Sequence, residues 1–193
     1  MNVRTTALLV IDVQEGIDHP KHGQRNNPHA EHRMADLLAA WRAHRGVIVH
    51  VQHASTRDDS PLRPDQPGFA LKPEVEPQDG EPLYVKHANS AFIDTDLAAF
   101  LHASGITSVV VMGLTTDHCV SSSVRMASDL GFATYVVSDA TATFERTDHT
   151  GRYFTAEDVH AVSLVNLHRE FATILTAKQV FAALEEHTQV SAM

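Results

Sequence analysis

Two uninterrupted apolar runs constrain the fold of this chain more than any other feature of its sequence. They are Leu8-Leu9-Val10-Ile11 near the start and Val109-Val110-Val111 near the middle. A strand that exposes one face to water alternates polar and apolar residues, whereas a strand buried on both faces reads as a continuous run. Both runs therefore predict central strands of a sheet that is covered on its two faces.

Strand-like runs alternate with segments of helical periodicity, such as the stripe formed by Met34, Leu37, Leu38 and Trp41. Alternation of strands and helices requires crossover connections, which give a parallel sheet. We predict an α/β protein with a three-layer Rossmann-like fold, a six-stranded parallel sheet and helices on both faces. The predicted strands are Ala7–Val13, Val47–His53, Leu83–His87, Ser108–Leu114, Ala133–Asp139 and Ala172–Leu175. The glycines expected to end helices as C-caps are Gly46, Gly105 and Gly131.

Size and charge narrow the possible classes of protein. A chain of 193 residues fits one domain, residues 1–193, and 43% hydrophobic residues suffice for its core. The net charge of −9 argues against nucleic acid or an anionic membrane surface as a partner. No apolar stretch approaches the ~20 residues that span a bilayer, and no signal peptide is recognisable. Cys119 is the single cysteine, which excludes an internal disulfide and suits a reducing compartment, so we expect a cytoplasmic protein.

Two long segments carry few signals of regular structure. Ala54–Pro82 is rich in proline and acidic residues, and Thr141–Thr155 carries three aromatic residues. Long loops in compact domains are often functional. We expect these two segments to shape a binding pocket, to act as lids or to contact a second subunit.

Three reactive side chains follow three different predicted strands. Asp12 ends the first strand, Lys86 ends the third, and Cys119 follows the fourth at the opening of a helix. Ligands of open parallel sheets bind beyond the carboxyl ends of the strands, so these side chains are expected at one edge. Asp12 would be costly to bury among apolar residues unless it were paired, and Lys86 is the obvious partner.

The three residue types suit nucleophilic catalysis. A thiol at the start of a helix faces the positive end of the macrodipole, which favours the reactive thiolate. Asp12 would accept the proton of Cys119, and backbone amides of the preceding turn would stabilise an oxyanion. A structural explanation stays open for each: Cys119 could be a small core residue, Asp12 a cap and Lys86 a solvated residue of an edge strand.

Three ordered blocks of the sequence resemble the signature of isochorismatase-like cysteine hydrolases. The blocks are Asp12-Val13-Gln14, then Lys86 with Asn89-Ser90-Ala91-Phe92 and Thr95-Asp96-Leu97, and finally Gly113-Leu114-Thr115-Thr116-Asp117-His118-Cys119-Val120. The segment Val137-Ser138-Asp139-Ala140 and His160 are also similar to later family positions, and the resemblance runs from about Ala7 to Thr176.

The resemblance implies a catalytic triad of Asp12, Lys86 and Cys119. It also implies a non-proline cis peptide at Leu114–Thr115, which would aim the amides of Thr115 and Cys119 at one oxyanion. Members of the family often form dimers or larger assemblies, so a homodimer or homotetramer is expected.

Two departures from relatives within that family narrow the expected chemistry. Metal-dependent nicotinamidases of the family carry an Asp-x-His pair after the second strand, whereas this chain has His50 and His53. Residues three apart on a strand point to opposite faces and cannot chelate together, so no metal and no cofactor is expected. Isochorismatases in the strict sense cleave a vinyl ether and need no thiol, so the presence of Cys119 favours amide or similar acyl chemistry.

The sequence thus predicts a metal-independent cysteine hydrolase that cleaves an amide, carbamoyl or lactam C–N bond of a small molecule. Vinyl-ether hydrolysis and a non-catalytic binding or assembly module with the same fold are the alternatives. The residues predicted to contact the substrate are Gln14, Asn89, Phe92 and His118. Core packing is an alternative for Phe92. His118 is expected in the pocket wall and not as the base, because adjacent helical residues diverge.

Overall fold

Six parallel strands form the central sheet of the computed structural model, which describes residues 1–190. Two further strands lie outside this sheet, and in chain order the strands of residues 1–190 are β1 (Thr6–Ile11), β2 (Ile48–His53), β3 (Leu83–Lys86), β4 (Ser108–Leu114), β5 (Ala133–Ala142), β6 (Arg146–Thr147), β7 (Tyr153–Phe154) and β8 (Thr173–Leu175). The order across the sheet is β3-β2-β1-β4-β5-β8, while β6 and β7 form a separate antiparallel pair. The predicted six-stranded parallel sheet is confirmed.

Helices cover both faces of this sheet, which confirms the predicted three layers. The helices are α1 (Ala30–Ala43), α2 (Leu97–Ala103), α3 (Ser121–Asp129), α4 (Ala156–Leu167) and α5 (Ala177–Val190). Leu8 and Val10 of β1 pack into a core with side chains of α1 and α5. Leu9 and Ile11 point the other way and pack into a second core with side chains of α2, α3 and α4. Successive residues of the central strands therefore feed two separate cores, which is why their sequences are apolar without interruption.

Two ends of strands differ from the prediction by two or more residues at the edge where the site forms. β1 ends at Ile11, so Asp12 and Val13 lie beyond it, and Asp12 has a left-handed φ of 51°. β5 continues to Ala142, past a register irregularity opposite Val111 and Gly113 of β4. Left-handed backbone at a non-glycine residue is uncommon and concentrates at functional sites.

The glycines at the ends of helices follow the prediction only in part. Gly105 and Gly131 take the left-handed conformation after α2 and α3, with φ of 70° and 90°. After α1 that conformation falls on Arg45, with φ of 54°. The prediction that Gly46 is the C-cap glycine is therefore wrong. A Cβ at Gly46 would lie 2.7 Å from Cδ1 of Trp41, so close packing explains the glycine.

Gly113 has a different role, because it allows β4 to approach β1 closely. Its φ is 129°, and a Cβ at this position would lie 2.1 Å from the carbonyl oxygen of Ile11. The turn that follows Gly113 is thereby held against the residues that follow β1.

The two segments predicted to be irregular pack against the carboxyl edge of the sheet. Ala54–Pro82 includes two short 3-10 turns, Pro67–Phe69 and Pro73–Val75, and buries Val75 in the core. Thr141–Thr155 contains the hairpin of β6 and β7. Among the helices of residues 1–190, none is long and apolar enough to cross a bilayer.

Candidate active site

Asp12, Lys86 and Cys119 lie close together at the carboxyl edge of the sheet. Lys86 ends β3, which is separated from β1 by β2, so its side chain must pass the end of β2 to reach Asp12. His53 is the register partner of Lys86 on β2 and lies between them. The Nζ of Lys86 is 2.6 Å from Oδ2 of Asp12, and both side chains are buried.

The ammonium of Lys86 has an acceptor for each of its three N–H groups. It donates to Oδ2 of Asp12 at 2.6 Å, to Nδ1 of His53 at 3.2 Å and to the carbonyl oxygen of Ala88 at 3.1 Å. An ammonium has no lone pair, so His53 accepts through Nδ1 and carries its proton on Nε2. Burial and the Lys86 ammonium lower the pKa of His53, which keeps the ring neutral.

The carboxylate of Asp12 lies beside the thiol of Cys119. A carboxylate oxygen of Asp12, a ring nitrogen of His53 and the Sγ of Cys119 lie within 4.8 Å of one another. The Oδ1 of Asp12 is buried and has no hydrogen-bond partner within residues 1–190. Burial raises the pKa of the Asp12 carboxyl, and the Lys86 ammonium opposes that rise. One oxygen is thus held by a cation, while the other is free to accept a proton.

The thiol of Cys119 is held in its protonated form, contrary to the expectation from the helix dipole. Cys119 lies in a π-helical turn, Thr116–Val120, that continues into α3. Burial and the negative charge of Asp12 raise the pKa of Cys119 well above its usual range. The effect of the helix end is outweighed because burial disfavours a charged sulfur and the neighbouring carboxylate disfavours a second negative charge.

Hydrogen bonds of Thr115 and Thr116 stabilise the turn between β4 and Cys119. The peptide bond between Leu114 and Thr115 is cis. The carbonyl oxygen of Thr115 accepts from the amides of His118 and Val120, each at 3.2 Å. The hydroxyl of Thr116 lies 2.9 Å from Nδ1 of His160 on α4. His160 thus supports the turn from behind and does not line the pocket.

A cavity of about 400 Å³ opens beside Cys119. Asn89 and His118 line it, and the Sγ of Cys119 lies 3.8 Å from Oδ1 of Asn89. Gln14 and Phe92 lie outside its walls. The side chain of Gln14 bonds the backbone of His53 and of Phe69, and Phe92 stacks on Phe132 at 6.2 Å between ring centroids.

Sequence reasoning missed several residues of this site. His53 could have been found, because it ends β2 just as Lys86 ends β3 and the same rule about the ends of strands applies. Other charged residues of the cavity wall come from outside the central sheet and have no sequence signal of this kind; they are Lys21, Arg57, Asp59 and Arg146.

His50 and His53 do not form a shared metal site. Nε2 of His50 lies 2.9 Å from Oε2 of Glu81, away from the cavity. Asp12, His53 and Cys119 are a donor set of the kind that binds metal. However, Lys86 already places a buried positive charge against both Asp12 and His53. The residues present therefore fit an ammonium better than a divalent ion.

The sequence matches the model of the isochorismatase domain over residues 6–179. That match includes Asp12, Lys86 and Cys119 and the whole of the six-stranded sheet. The chain belongs to the isochorismatase family.

Other isochorismatase-family proteins are similar over nearly their full length. A crystal structure of a hydrolase of the family from Chromobacterium violaceum ATCC 12472 superposes with a TM-score of 0.91 and 45% identity, covering 95% of each chain. The isochorismatase family protein YrdC of Bacillus subtilis (strain 168) is 45% identical over 174 residues, which are 90% of this chain and 93% of that protein.

Some relatives are named for a reaction. Streptothricin hydrolase of Streptomyces noursei is 33% identical over 142 residues, 72% of this chain and 50% of that protein. Ureidoacrylate amidohydrolase RutB of Rhizobium rhizogenes is 29% identical over 118 residues, 61% of this chain and 44% of that protein. Family and relatives together indicate that this isochorismatase-family protein is a hydrolase.

Proposed function

We propose that the protein is a metal-independent cysteine hydrolase that cleaves a C–N bond of a small amide, carbamoyl or lactam compound. One observation carries the proposal. Asp12 has one oxygen on Lys86 and a second, buried oxygen without a partner near the thiol of Cys119. A general base needs a free acceptor within reach of the proton that it removes, and this arrangement supplies one.

In the first half of the reaction, the proton of Cys119 moves to Oδ1 of Asp12 as Sγ attacks the carbonyl carbon. The carbonyl oxygen gains negative charge, which the amides of Thr115 and Cys119 stabilise. Asp12 then donates its proton to the leaving nitrogen as the C–N bond breaks. The products are a free amine or ammonia and a thioester on Cys119.

In the second half, water attacks the thioester carbon and gives a proton to Asp12. The C–S bond breaks, the thiolate recovers that proton, and the carboxylic acid product leaves. The raised pKa of Asp12 suits both transfers, because a base whose pKa lies closer to the working pH also serves as an acid. Lys86 holds the carboxylate in place throughout, and His53 holds Lys86.

The proposed bond type and the absence of a metal requirement each have support. A relative whose name denotes an amidohydrolase supports the C–N bond. The Lys86 ammonium supports independence from metal, because it already donates to Asp12 and His53, two of the three residues that could bind a divalent ion. Activity is expected to persist after exhaustive chelation.

The covalent step gives the decisive test. Cys119→Ala is expected to abolish release of amine or ammonia from a panel of small amides, and Cys119→Ser is expected to be poor because Asp12 suits a thiol better than an alcohol. Rapid quench followed by mass spectrometry should detect the acyl group on Cys119 of the wild type. If Cys119→Ala turns over its best substrate at the wild-type rate, the thioester scheme is wrong and vinyl-ether hydrolysis becomes the better proposal.

We also propose that the protein is a homodimer or homotetramer. Val162 and Val165 of α4 are exposed to 59% and 73%, and a second copy of the chain would cover them. Sedimentation velocity of the wild type and of Val165→Lys would test this, since the charge should shift the assembly towards monomer.

A further inference from the structure

The cavity beside Cys119 is lined by both apolar and charged side chains. Ile17, Leu62 and Phe144 supply the apolar side chains, and the volume is about 400 Å³. Pockets of this size accept small molecules and fix their orientation through a few polar groups. The charged side chains of the cavity wall therefore help to determine which substrates bind.

Positive charge exceeds negative charge around this cavity. Lys21, Arg57 and Arg146 line it, whereas Asp12 is neutralised by Lys86. Asp59 also lines the cavity, and its carboxylate oxygens lie 3.5 Å from Nζ of Lys21 and 3.5 Å from Nε of Arg57. Asp117 forms an ion pair with Arg146. The three cations Lys21, Arg57 and Arg146 are therefore accompanied by two carboxylates, those of Asp59 and Asp117. The chain as a whole carries −9, so this local excess runs against the charge of the molecule.

Arg146 is held in a fixed orientation and still has donors to offer. Its Nε and Nη2 each lie 3.1 Å from Oδ2 of Asp117, and its Nη1 donates to the carbonyl oxygen of Glu145 at 3.2 Å. Asp117 also accepts from the hydroxyl of Thr143. A guanidinium has five N–H groups, so these contacts leave donors on its outer side. A pre-oriented arginine is well suited to bind a planar carboxylate.

His22 lies in the same cavity wall, and one of its ring nitrogens has no hydrogen-bond partner in the described part of the chain. Its Nε2 is buried and makes no hydrogen bond within residues 1–190, and its ring lies against Phe144 at 5.3 Å between centroids. Burial lowers the pKa of His22, and the positive charges of Lys21 and Arg146 lower it further. The lowered pKa of His22 therefore reflects burial and positively charged surroundings. Lys21 and Arg146, which supply that charge, would stabilise an anion bound in the cavity.

We propose that the substrate carries a carboxylate, which Arg146 and Lys21 bind while the scissile amide lies beside Cys119. The substrate class is then a small amide or carbamoyl compound with an acid group at its other end and an apolar spacer between them. This inference rests on the proposed C–N hydrolysis only for the identity of the scissile bond.

Matched probes test the carboxylate subsite. Succinamate and glutaramate carry the acid, and their methyl esters are neutral and nearly the same shape. We expect kcat/KM to be at least about tenfold higher for the acids, since a charge-assisted bidentate hydrogen bond is worth that much. Arg146→Gln should reduce this preference, whereas Arg152→Gln, in the same hairpin but outside the cavity wall, should preserve it.

A second measurement does not depend on turnover. Cys119 is the single cysteine, so intact-protein mass spectrometry follows its alkylation by iodoacetamide directly. The acids should slow alkylation at lower concentrations than the esters, and Arg146→Gln should remove the difference. If Arg146→Gln fails to fold, Lys21→Gln should diminish the same difference and replaces it in both experiments.

The outcomes separate the two proposals. Protection of Cys119 by the acids without release of ammonia would contradict the proposed hydrolysis and retain the carboxylate subsite. Equal or better turnover and protection by the esters would overturn the subsite and retain the hydrolase. Failure of both acids to protect Cys119 would also overturn the subsite.

Discussion

Two buried carboxylates of this protein each lie beside a buried lysine, yet their pKa values shift in opposite directions. Glu31 lies 2.6 Å from Lys72, and Asp12 lies 2.6 Å from Lys86. Burial by itself acts to raise the pKa of both carboxyl groups. For Glu31 the hydrogen bonds and charges of Arg25 and Lys72 outweigh burial and bring its pKa to about 2. For Asp12 burial prevails.

The difference follows from how many partners each carboxylate has. Oε1 of Glu31 accepts from Lys72 and Arg25, and Oε2 accepts from Arg25 at 2.5 Å. Asp12 has one cation and one oxygen without a hydrogen bond. We call the pair of Glu31 and Lys72 saturated, because both carboxylate oxygens accept hydrogen bonds, and these bonds stabilise the ionised form. A carboxylate with one oxygen free, such as that of Asp12, accepts a proton more readily. The number of satisfied oxygens thus separates a structural carboxylate from a reactive one.

Removing each carboxylate charge gives the largest expected contrast. Asp12→Asn should reduce turnover by ~10²–10⁴, the usual contribution of a general base. Glu31→Gln should retain most of the turnover, because Glu31 lies outside the cavity wall. Steady-state kinetics of the two variants measure both effects. Wild-type turnover by Asp12→Asn would remove the distinction between the two carboxylates.

Removing the lysine of the reactive pair should affect stability. Lys86→Met leaves the buried charge of Asp12 without its cation, which costs about 3–5 kcal/mol in comparable cases. Urea denaturation measures the loss. The double variant Lys86→Met with Asp12→Asn should recover part of it, because no unpaired charge then stays buried. An unchanged unfolding midpoint in Lys86→Met would contradict the pairing.

The saturated pair should govern the stability of the protein in acid. The pKa of Glu31 is lowered from 4.5 to about 2, so its contribution is complete above pH 4.5 and is lost as the pH falls towards 2. At neutral pH the free energy of unfolding of Glu31→Gln should be about 1–3 kcal/mol lower than that of the wild type. Between pH 4.5 and 2 this variant should lose less further stability than the wild type does. Part of the acid sensitivity should persist, since Arg42 holds the pKa of Glu81 at about 2 as well, against the effect of burial. Denaturation at several pH values tests this, and an unaltered acid dependence would show that Glu31 is not saturated.

The smallest effect is expected at His53, which holds Lys86 and not the carboxylate. His53→Leu removes an acceptor from the ammonium and should lower kcat about tenfold, as expected for a charged hydrogen bond worth ~1.5 kcal/mol. His53→Asn keeps an acceptor at a similar position and should be closer to wild type. Equal losses in the two variants would mean that His53 acts through something other than this hydrogen bond.

The central sheet and the cluster at its edge could be predicted from the sequence because both depend on local pattern. Continuous apolar runs identify β1 and β4, and the rule about the ends of parallel strands brought Asp12, Lys86 and Cys119 to one edge. The same rule reached His53 on β2 but was not applied to it.

Burial and loop contacts were decided only by the tertiary structure, because they depend on residues far apart in the chain. The helix end alone suggests a thiolate at Cys119, but burial and Asp12 make the thiol the favoured form. Gln14 follows Asp12 closely in sequence, yet its amide is used to join β2 to the segment that includes Phe69. The sequence by itself determined the sheet and which side chains stand at its edge. The folded structure decided their protonation states, their hydrogen-bond partners and the charge of the cavity, since these depend on the water excluded and the loops that close over the edge.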